Sequence, residues 1–215
     1  MKVCIVGCGA VGSLFAATLA QLDDVEVWAY DLYREHVDAI NRDGLRLSGA
    51  GEALGRPTAT SDPSDLPACD FGIVATKSMH TSAAIEATAP AFVNGCVATV
   101  QNGLGNEESI AKYSERVIRG TTFPAGKLLE PGHVQWDVKG DTTFGPFEPK
   151  PAPLEEIARL AEACTRAGMP TQAVEDARGP QWRKVIFNAA TNPVGALTRL
   201  THGRVCEDPG LRRLV

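Results

Sequence analysis

Lys2-Val3-Cys4-Ile5-Val6-Gly7-Cys8-Gly9-Ala10-Val11-Gly12 decides how the rest of the chain is read. A short apolar run meets three glycines spaced G-x-G-x-x-G, and an apolar helical pattern continues from there to Leu22. A second apolar run, Val25 to Tyr30, ends on Asp31, 24 positions after Gly7. Strand, tight turn, helix, strand and acid in this order make a dinucleotide-binding fingerprint. Gly7 lets the chain turn sharply after the strand. Gly9 removes a side chain where a pyrophosphate must approach the backbone, and Gly12 lets the helix lie close to the strand. Gly7, Cys8, Gly9, Ala10, Val11 and Gly12 are therefore expected to bind the cofactor, with the free N–H groups and positive end of the helix towards the phosphates. Asp31 stands near the spacing of an acid that accepts from the adenosine ribose hydroxyls. Such a carboxylate suits NAD and repels the 2′-phosphate of NADP, a repulsion that Arg34 in the same loop offsets in part. The expected cofactor is NADH or NADPH, with NADH favoured by Asp31. A glycine-rich turn alone is also a plain strand–helix connection; the register of all the parts favours the dinucleotide.

The pattern repeats outward from this unit. Strands are expected near 2–6, 25–30, 71–76, 96–100 and 117–121, with helices near 11–22, 34–43, 79–89 and 106–113. Continuous apolar strands such as Phe71-Gly72-Ile73-Val74-Ala75 suggest a parallel sheet buried on both faces. The expected fold class is α/β, an N-terminal Rossmann-type doubly wound sheet followed by the start of an all-helical C-terminal domain. Residues 44–69 read as a loop-rich insertion around two short β-like pieces. Residues 122–147 read as short antiparallel strands, with turns at Glu130-Pro131-Gly132 and Lys139-Gly140-Asp141, that extend the sheet along one edge. A proline-rich linker leads to a helix over 154–167, and a strand at 171–174 closes the first domain. From Asp176 the chain reads as helical, over 179–191, 193–200 and from Asp208-Pro209 to Val215. The boundaries are 1–175 for the dinucleotide-binding domain and 176–215 for a helical domain that is incomplete. About 40 residues are too few to bury a core alone, so this segment packs on the first domain, on a partner such as a second copy in a homodimer, or on further chain.

Composition excludes several classes. The chain has 215 residues, 44% hydrophobic and 22% charged, which suits a soluble globular protein. A net charge of −5 supplies no basic field for nucleic acid. Cys4, Cys8, Cys69, Cys96, Cys164 and Cys206 form no C-x-x-C pair and read as reduced thiols of a cytoplasmic protein. His36, His80, His133 and His202 lack metal-ligand spacing, so no metal site is expected. The apolar stretch after Met1-Lys2 resembles a signal peptide, but its dinucleotide-spaced glycines and following strand argue against that. No other stretch is long and apolar enough to span a membrane.

Ligands of open α/β sheets sit beyond the carboxyl ends of the strands. Thr76-Lys77 follows one strand and Gln101-Asn102-Gly103-Leu104-Gly105 another. Lys77 suits a phosphate or carboxylate, and equally a solvated surface. Asn102-Gly103 suits cofactor or substrate, and equally an ordinary turn. On Trp182-Arg183-Lys184-Val185-Ile186-Phe187-Asn188, Lys184 and Asn188 share one face of a helix that should be largely buried. Such groups need partners or a water-lined cleft, unless the lysine snorkels to the surface and backbone satisfies Asn188. Asn192-Pro193 fits an N-cap with proline at the first helical position, a structural role that leaves a ligand role open.

These motifs, with Gly120-Thr121-Thr122, together resemble the ketopantoate reductase (2-dehydropantoate 2-reductase) family, in family order over nearly the whole chain. The resemblance implies NADPH-dependent reduction of a 2-oxo acid by a Rossmann domain and a helical C-terminal domain. It implies Lys184 as the catalytic lysine, Thr76, Lys77 and Asn102 at the cofactor cleft, and Asn102, Asn188 and Asn192 on substrate. The chain departs from the family pattern in two places. Asp31 stands where the family usually has a basic residue, which favours NADH. The family's helical domain continues beyond the equivalent of Val215 and supplies a serine and a glutamate that have no counterpart here. The small-molecule partner is thus a 2-oxo acid, most simply 2-dehydropantoate. Another oxo acid, an imine formed from one, or a dinucleotide-binding module without catalysis are the alternatives.

Overall fold

The computed structural model describes residues 1–215. It divides into two compact units, Met1–Ala177 and Arg178–Val215. The first unit opens with β1 (Lys2–Val6), α1 (Ala10–Leu19), β2 (Glu26–Tyr30) and α2 (Arg34–Asp43). It continues through β3 (Leu45–Gly49), β4 (Ala53–Gly55), β5 (Thr58–Thr60), β6 (Phe71–Val74), α3 (Thr81–Thr88), β7 (Cys96–Thr99), α4 (Asn106–Ile110) and β8 (Val117–Thr122). β9 (Ala125–Glu130), β10 (His133–Val138), β11 (Thr142–Pro146), α5 (Leu154–Arg166) and β12 (Thr171–Ala173) complete it.

The main sheet has eight strands in the order β12-β11-β8-β7-β6-β1-β2-β5. From β5 to β8 every pairing is parallel. The alternation of side chains along β1 shows why both faces are covered. Val3 and Ile5 point into one apolar cluster with Leu14, Phe15, Ile157 and Leu160 of α1 and α5. Cys4 and Val6 point into a second cluster with Ile85 of α3 and Ile110 of α4. Successive residues of a strand face opposite sides, so a strand buried on both must be apolar throughout. No helix of the chain is long and apolar enough to cross a membrane.

Two expectations about the sheet are corrected. Residues 122–147 do not simply extend the main sheet. Only β11 returns to it, antiparallel to β8. β9 and β10 leave it and join residues of the supposed loop-rich insertion in a second sheet, ordered β4-β3-β10-β9. The remaining strand of that insertion, β5, lies at the edge of the main sheet beside β2. The second sheet buries Leu45, Leu47, Val134 and Trp136 in the cluster that contains Leu14 and Phe15 of α1. β10 runs parallel to β3 across 87 positions, His133 opposite Arg46. The apolar gain of covering α1 directs this pairing, and hairpin-scale sequence patterns carry no sign of it.

The second unit contains α6 (Arg178–Thr198), α7 (His202–Glu207) and α8 (Pro209–Arg212). Two helices were expected on either side of Asn192-Pro193, but α6 runs straight through, with Pro193 inside it. Proline's fixed φ is itself helical; what is lost is one backbone hydrogen bond, a local cost that a long helix can absorb. The helix stops later, at Arg199 in the left-handed region (φ 60°). α7 was not foreseen; Thr201 caps it, and Asp208 caps α8 by accepting from the Gly210 and Leu211 N–H groups.

The second sheet presses on α1 at one point. A Cβ at Gly55 would lie 2.3 Å from the Ala17 carbonyl oxygen. Gly55→Ala should lower the free energy of unfolding by about 1–3 kcal/mol, as overpacking does. Chemical denaturation of the two proteins measures it; equal midpoints would mean that α1 and the second sheet are not in close contact.

Candidate functional site

The crevice of an open α/β sheet opens where the strand order reverses. Here that point lies between β1 and β6, because β1 leads outward to β2 while β6 stands on its other side. Gly7 ends β1 there with φ 91°, a conformation that side chains rarely adopt. A Cβ on Gly7 would also stand 2.5 Å from Thr76 Cγ2, across the crevice mouth. A Cβ on Gly12 would lie 2.0 Å from the Gly7 carbonyl oxygen, so α1 starts directly on the end of β1. Gly9 differs: a Cβ there meets nothing within 4 Å. It is the N-cap of α1, and no side chain caps the helix. Open space thus faces the first-turn N–H groups of Ala10, Val11 and Gly12, an arrangement that fits a pyrophosphate. Cys8 is buried beside it, and burial pushes its thiol up to about 12, which keeps it uncharged.

Asp31 leaves the end of β2 and turns back to the glycine turn. Its Oδ2 accepts from the Cys8 N–H at 2.7 Å and its Oδ1 from the Tyr33 N–H at 2.9 Å. A carboxylate has about four acceptor positions, so ribose hydroxyls can still be bound. Next to it, a cleft of about 440 Å³ is lined by Arg34, Asp38, Asn41, Thr60, Ser61 and Asp62. Hydrogen bonds from the Ser64 side chain and backbone hold the Asp62 carboxyl below its ordinary range. Asp38 and Asp62 are the carboxylates in the lining of this cleft, and Arg34 is its cation.

Thr76-Lys77 and Asn102 come together at the ends of β6 and β7. The sequence offered Gln101 only as part of a turn, but the structure makes it the link between the two loops. Gln101 is buried, and its Nε2 donates to the Thr76 carbonyl (2.9 Å), Thr76 Oγ1 (3.0 Å) and Thr81 Oγ1 (2.8 Å). Thr99 Oγ1 donates to Gln101 Oε1 at 3.0 Å. The Asn102 carbonyl accepts from Ser78 Oγ at 3.0 Å and from Asn106 Nδ2 at 3.1 Å. Buried polar groups satisfied this fully fix the loops they join. The Lys77 and Asn102 residues are exposed beyond this network. Beneath them the buried Glu107 carboxylate stands 4.0 Å from the Arg119 guanidinium, tying α4 to β8. Neither residue was singled out from the sequence; the pairing joins positions with no local pattern.

In the second unit, Gln181, Lys184, Asn188 and Thr191 fall along one face of α6 and are buried or half-buried. Burial pushes the Lys184 ammonium down to about 8. The apolar residues Trp182, Ile186 and Phe187 are 52%, 64% and 48% exposed, so the expectation of a largely buried helix is corrected. The two buried residues of α6, Gln181 and Thr191, are polar. Asn192 is no N-cap, since it lies inside α6; its Oδ1 instead accepts from His202 Nε2 at 3.0 Å. No group of three or more His, Cys, Asp or Glu residues is placed to hold a metal ion.

Comparison with known proteins places this geometry. The family model described as "Ketopantoate reductase PanE/ApbA" matches residues 3–149, and its C-terminal companion matches 176–215. The 2-dehydropantoate 2-reductase of Pyrococcus horikoshii is 35% identical over 207 residues, covering 95% of this chain and 66% of that protein. The crystal structure of a PanE/ApbA family ketopantoate reductase from Ralstonia eutropha JMP134 superposes with a TM-score of 0.83 at 31% identity, covering 99% of this chain and 70% of that one. The ternary structure of D-mandelate dehydrogenase with NADH and anilino(oxo)acetate shares the fold, with a TM-score of 0.87 at 23% identity over 99% of this chain and 69% of that one. The chain spans about two thirds of the length of these proteins.

The open space at Gly9 gives a clean test of the crevice. Gly9→Ala should leave stability within about 1 kcal/mol, since the methyl meets no protein atom, yet weaken NADH binding at least about tenfold by occupying the phosphate approach. Thermal melts and fluorescence titration with NADH read the two effects; unchanged affinity would place the dinucleotide elsewhere.

Proposed function

The chain belongs to the ketopantoate reductase family, and on that premise we propose that it reduces a 2-oxo acid to the 2-hydroxy acid, 2-dehydropantoate to pantoate. A nicotinamide dinucleotide, when bound, supplies the hydride that reduces the oxo carbon. The glycine turn of residues 7–12 holds its pyrophosphate by backbone N–H groups, and Asp31 accepts from its ribose. Thr76, Lys77 and Asn102 line the same crevice, with Asn102 shared between cofactor and substrate.

The observation that carries the reading is Lys184, half-buried one turn from Asn188 on the same face of α6. Reduction of a carbonyl builds negative charge on its oxygen. An ammonium stabilises that charge and delivers the proton that completes the alcohol. Desolvation lowers the Lys184 pKa to about 8, which brings proton donation closer to neutral pH while most of the lysine stays protonated at pH 7. Asn188 and Asn192 supply amide donors and acceptors to the substrate's carboxylate and hydroxyl groups.

The proposed cofactor preference is NADH. A 2′-phosphate would meet Asp31 and, beside it, Asp38 and Asp62, with Arg34 the only cation lining that cleft. Water and salt screen this repulsion in part, so the preference is one of degree.

Lys184 must be protonated to act, so kcat for reduction should fall as pH rises through about 8. Lys184→Ala should lose about 10²–10⁴-fold in kcat, the usual contribution of a positioned acid. A steady-state pH profile with 2-dehydropantoate tests both, and a variant as fast as the parent overturns the assignment. Titration with the two cofactors should give the lower Kd for NADH, and Asp31→Asn should shrink the difference; equal affinities in the parent chain would contradict the charge argument.

A further inference from the structure

His36 takes no part in the readings above, yet it is almost completely buried, on α2, between the glycine turn and the turn that joins β9 to β10. Its Nδ1 accepts from the Gly132 N–H at 2.9 Å. In the neutral ring the proton therefore sits on Nε2, which points at Ser13 Oγ at 3.4 Å. Burial holds the His36 pKa below its ordinary value, in keeping with that neutral form; Asp31 and an interaction of the ring with the Cys8 backbone act in the opposite sense. Ser13 is fully buried in the first turns of α1, and its hydroxyl donates to the Cys8 carbonyl at 2.8 Å. The Cys8 N–H in turn donates to Asp31 Oδ2 at 2.7 Å. Four hydrogen bonds thus run in one direction, from the β9–β10 turn through His36 and Ser13 to the backbone of the glycine turn and its carboxylate.

The consequence is geometric. A trans peptide is planar, and its C=O and N–H point opposite ways. Ser13 draws the Cys8 carbonyl inward, which turns the N–H of the same peptide unit, that of Gly9, outward to the open side. Gly9 has no side chain to restrict its backbone, so something else must hold that orientation. We infer that His36, acting through Ser13, is a positioning residue for the dinucleotide, fixing the Cys8–Gly9 peptide with its N–H towards the phosphates. This rests on the dinucleotide reading of the crevice and adds to it a residue distant in sequence and a link to the second sheet. A histidine suits the task because one ring offers an acceptor to Gly132 and a donor to Ser13 about two bonds apart. The Tyr33 ring lies nearly parallel to it, centroids 6.2 Å apart and planes 10° from parallel.

The test compares NADH binding by fluorescence titration with melting temperature in the full chain. Ser13→Ala removes one hydroxyl and should raise the Kd for NADH about tenfold, with kcat at saturating NADH near that of the parent. His36→Leu should do the same. His36→Gln, whose amide can accept from Gly132 and donate to Ser13, should restore most of the affinity, which a role confined to filling the core would not explain. Ser13→Ala with parental affinity, or His36→Gln as weak as His36→Leu at equal melting temperature, overturns the inference. A parent chain that binds neither NADH nor NADPH overturns the dinucleotide reading itself, and is thus told apart from failure of the His36 link.

Discussion

Helix α1 begins in contact with the strand that precedes it, and most of the first unit follows from that contact. A Cβ at Gly12 would stand 2.0 Å from the Gly7 carbonyl, so only a glycine allows the approach. The approach brings Leu14 and Phe15 against Ile5 and Ile73 of the sheet. It also aims the uncapped N-terminus of α1 over the reversal of strand order between β1 and β6. On its other side α1 meets the second sheet, where Gly55 lies against Ala17. One helix is thus pressed between two sheets, with a glycine at each tight contact. Its N-terminal N–H groups are held in place there without any side chain to cap them.

Charge is distributed in keeping with that placement. Cys8 stays neutral in the turn, so its own side chain adds no charge beside the N–H groups proposed to meet phosphate. Asp31 spends part of its acceptor capacity on the turn's own backbone, so the carboxylate proposed for the ribose also shapes the loop. At the far end of the crevice, Gln101 joins the Thr76 and Asn102 loops without contributing any charge. The chemistry proposed for Lys184 draws on a different principle, desolvation, which makes a lysine a useful acid near neutral pH.

How much was legible in the sequence depended on how local each feature is. The glycine turn, the strands β1, β2, β6, β7 and β8 and the lysine–asparagine face of α6 are encoded within a few residues, and their patterns could be read directly. The second sheet is not local. β3 and β4 are short strands among glycines, and β10, which pairs with β3, lies 87 positions on in register. Pro193 was read as a break because proline usually is one, but the helix on both sides carries it. The sequence shows only that His36 lacks metal-ligand spacing, since its partners Ser13 and Gly132 are 23 and 96 positions away. A histidine on the apolar face of α2, beside Val37, Ala39 and Ile40, was the available sign, as such a residue must find partners when buried.

The central claim is that backbone amides at the start of α1 bind a nicotinamide dinucleotide. At 22.8 kDa the chain suits two-dimensional amide NMR, and a titration with NADH observes those groups directly. The account predicts that the Gly9, Ala10, Val11 and Gly12 amide signals shift most, with smaller changes at Asp31 and Asn102. Shifts confined to other residues, or none at saturating NADH, would contradict it.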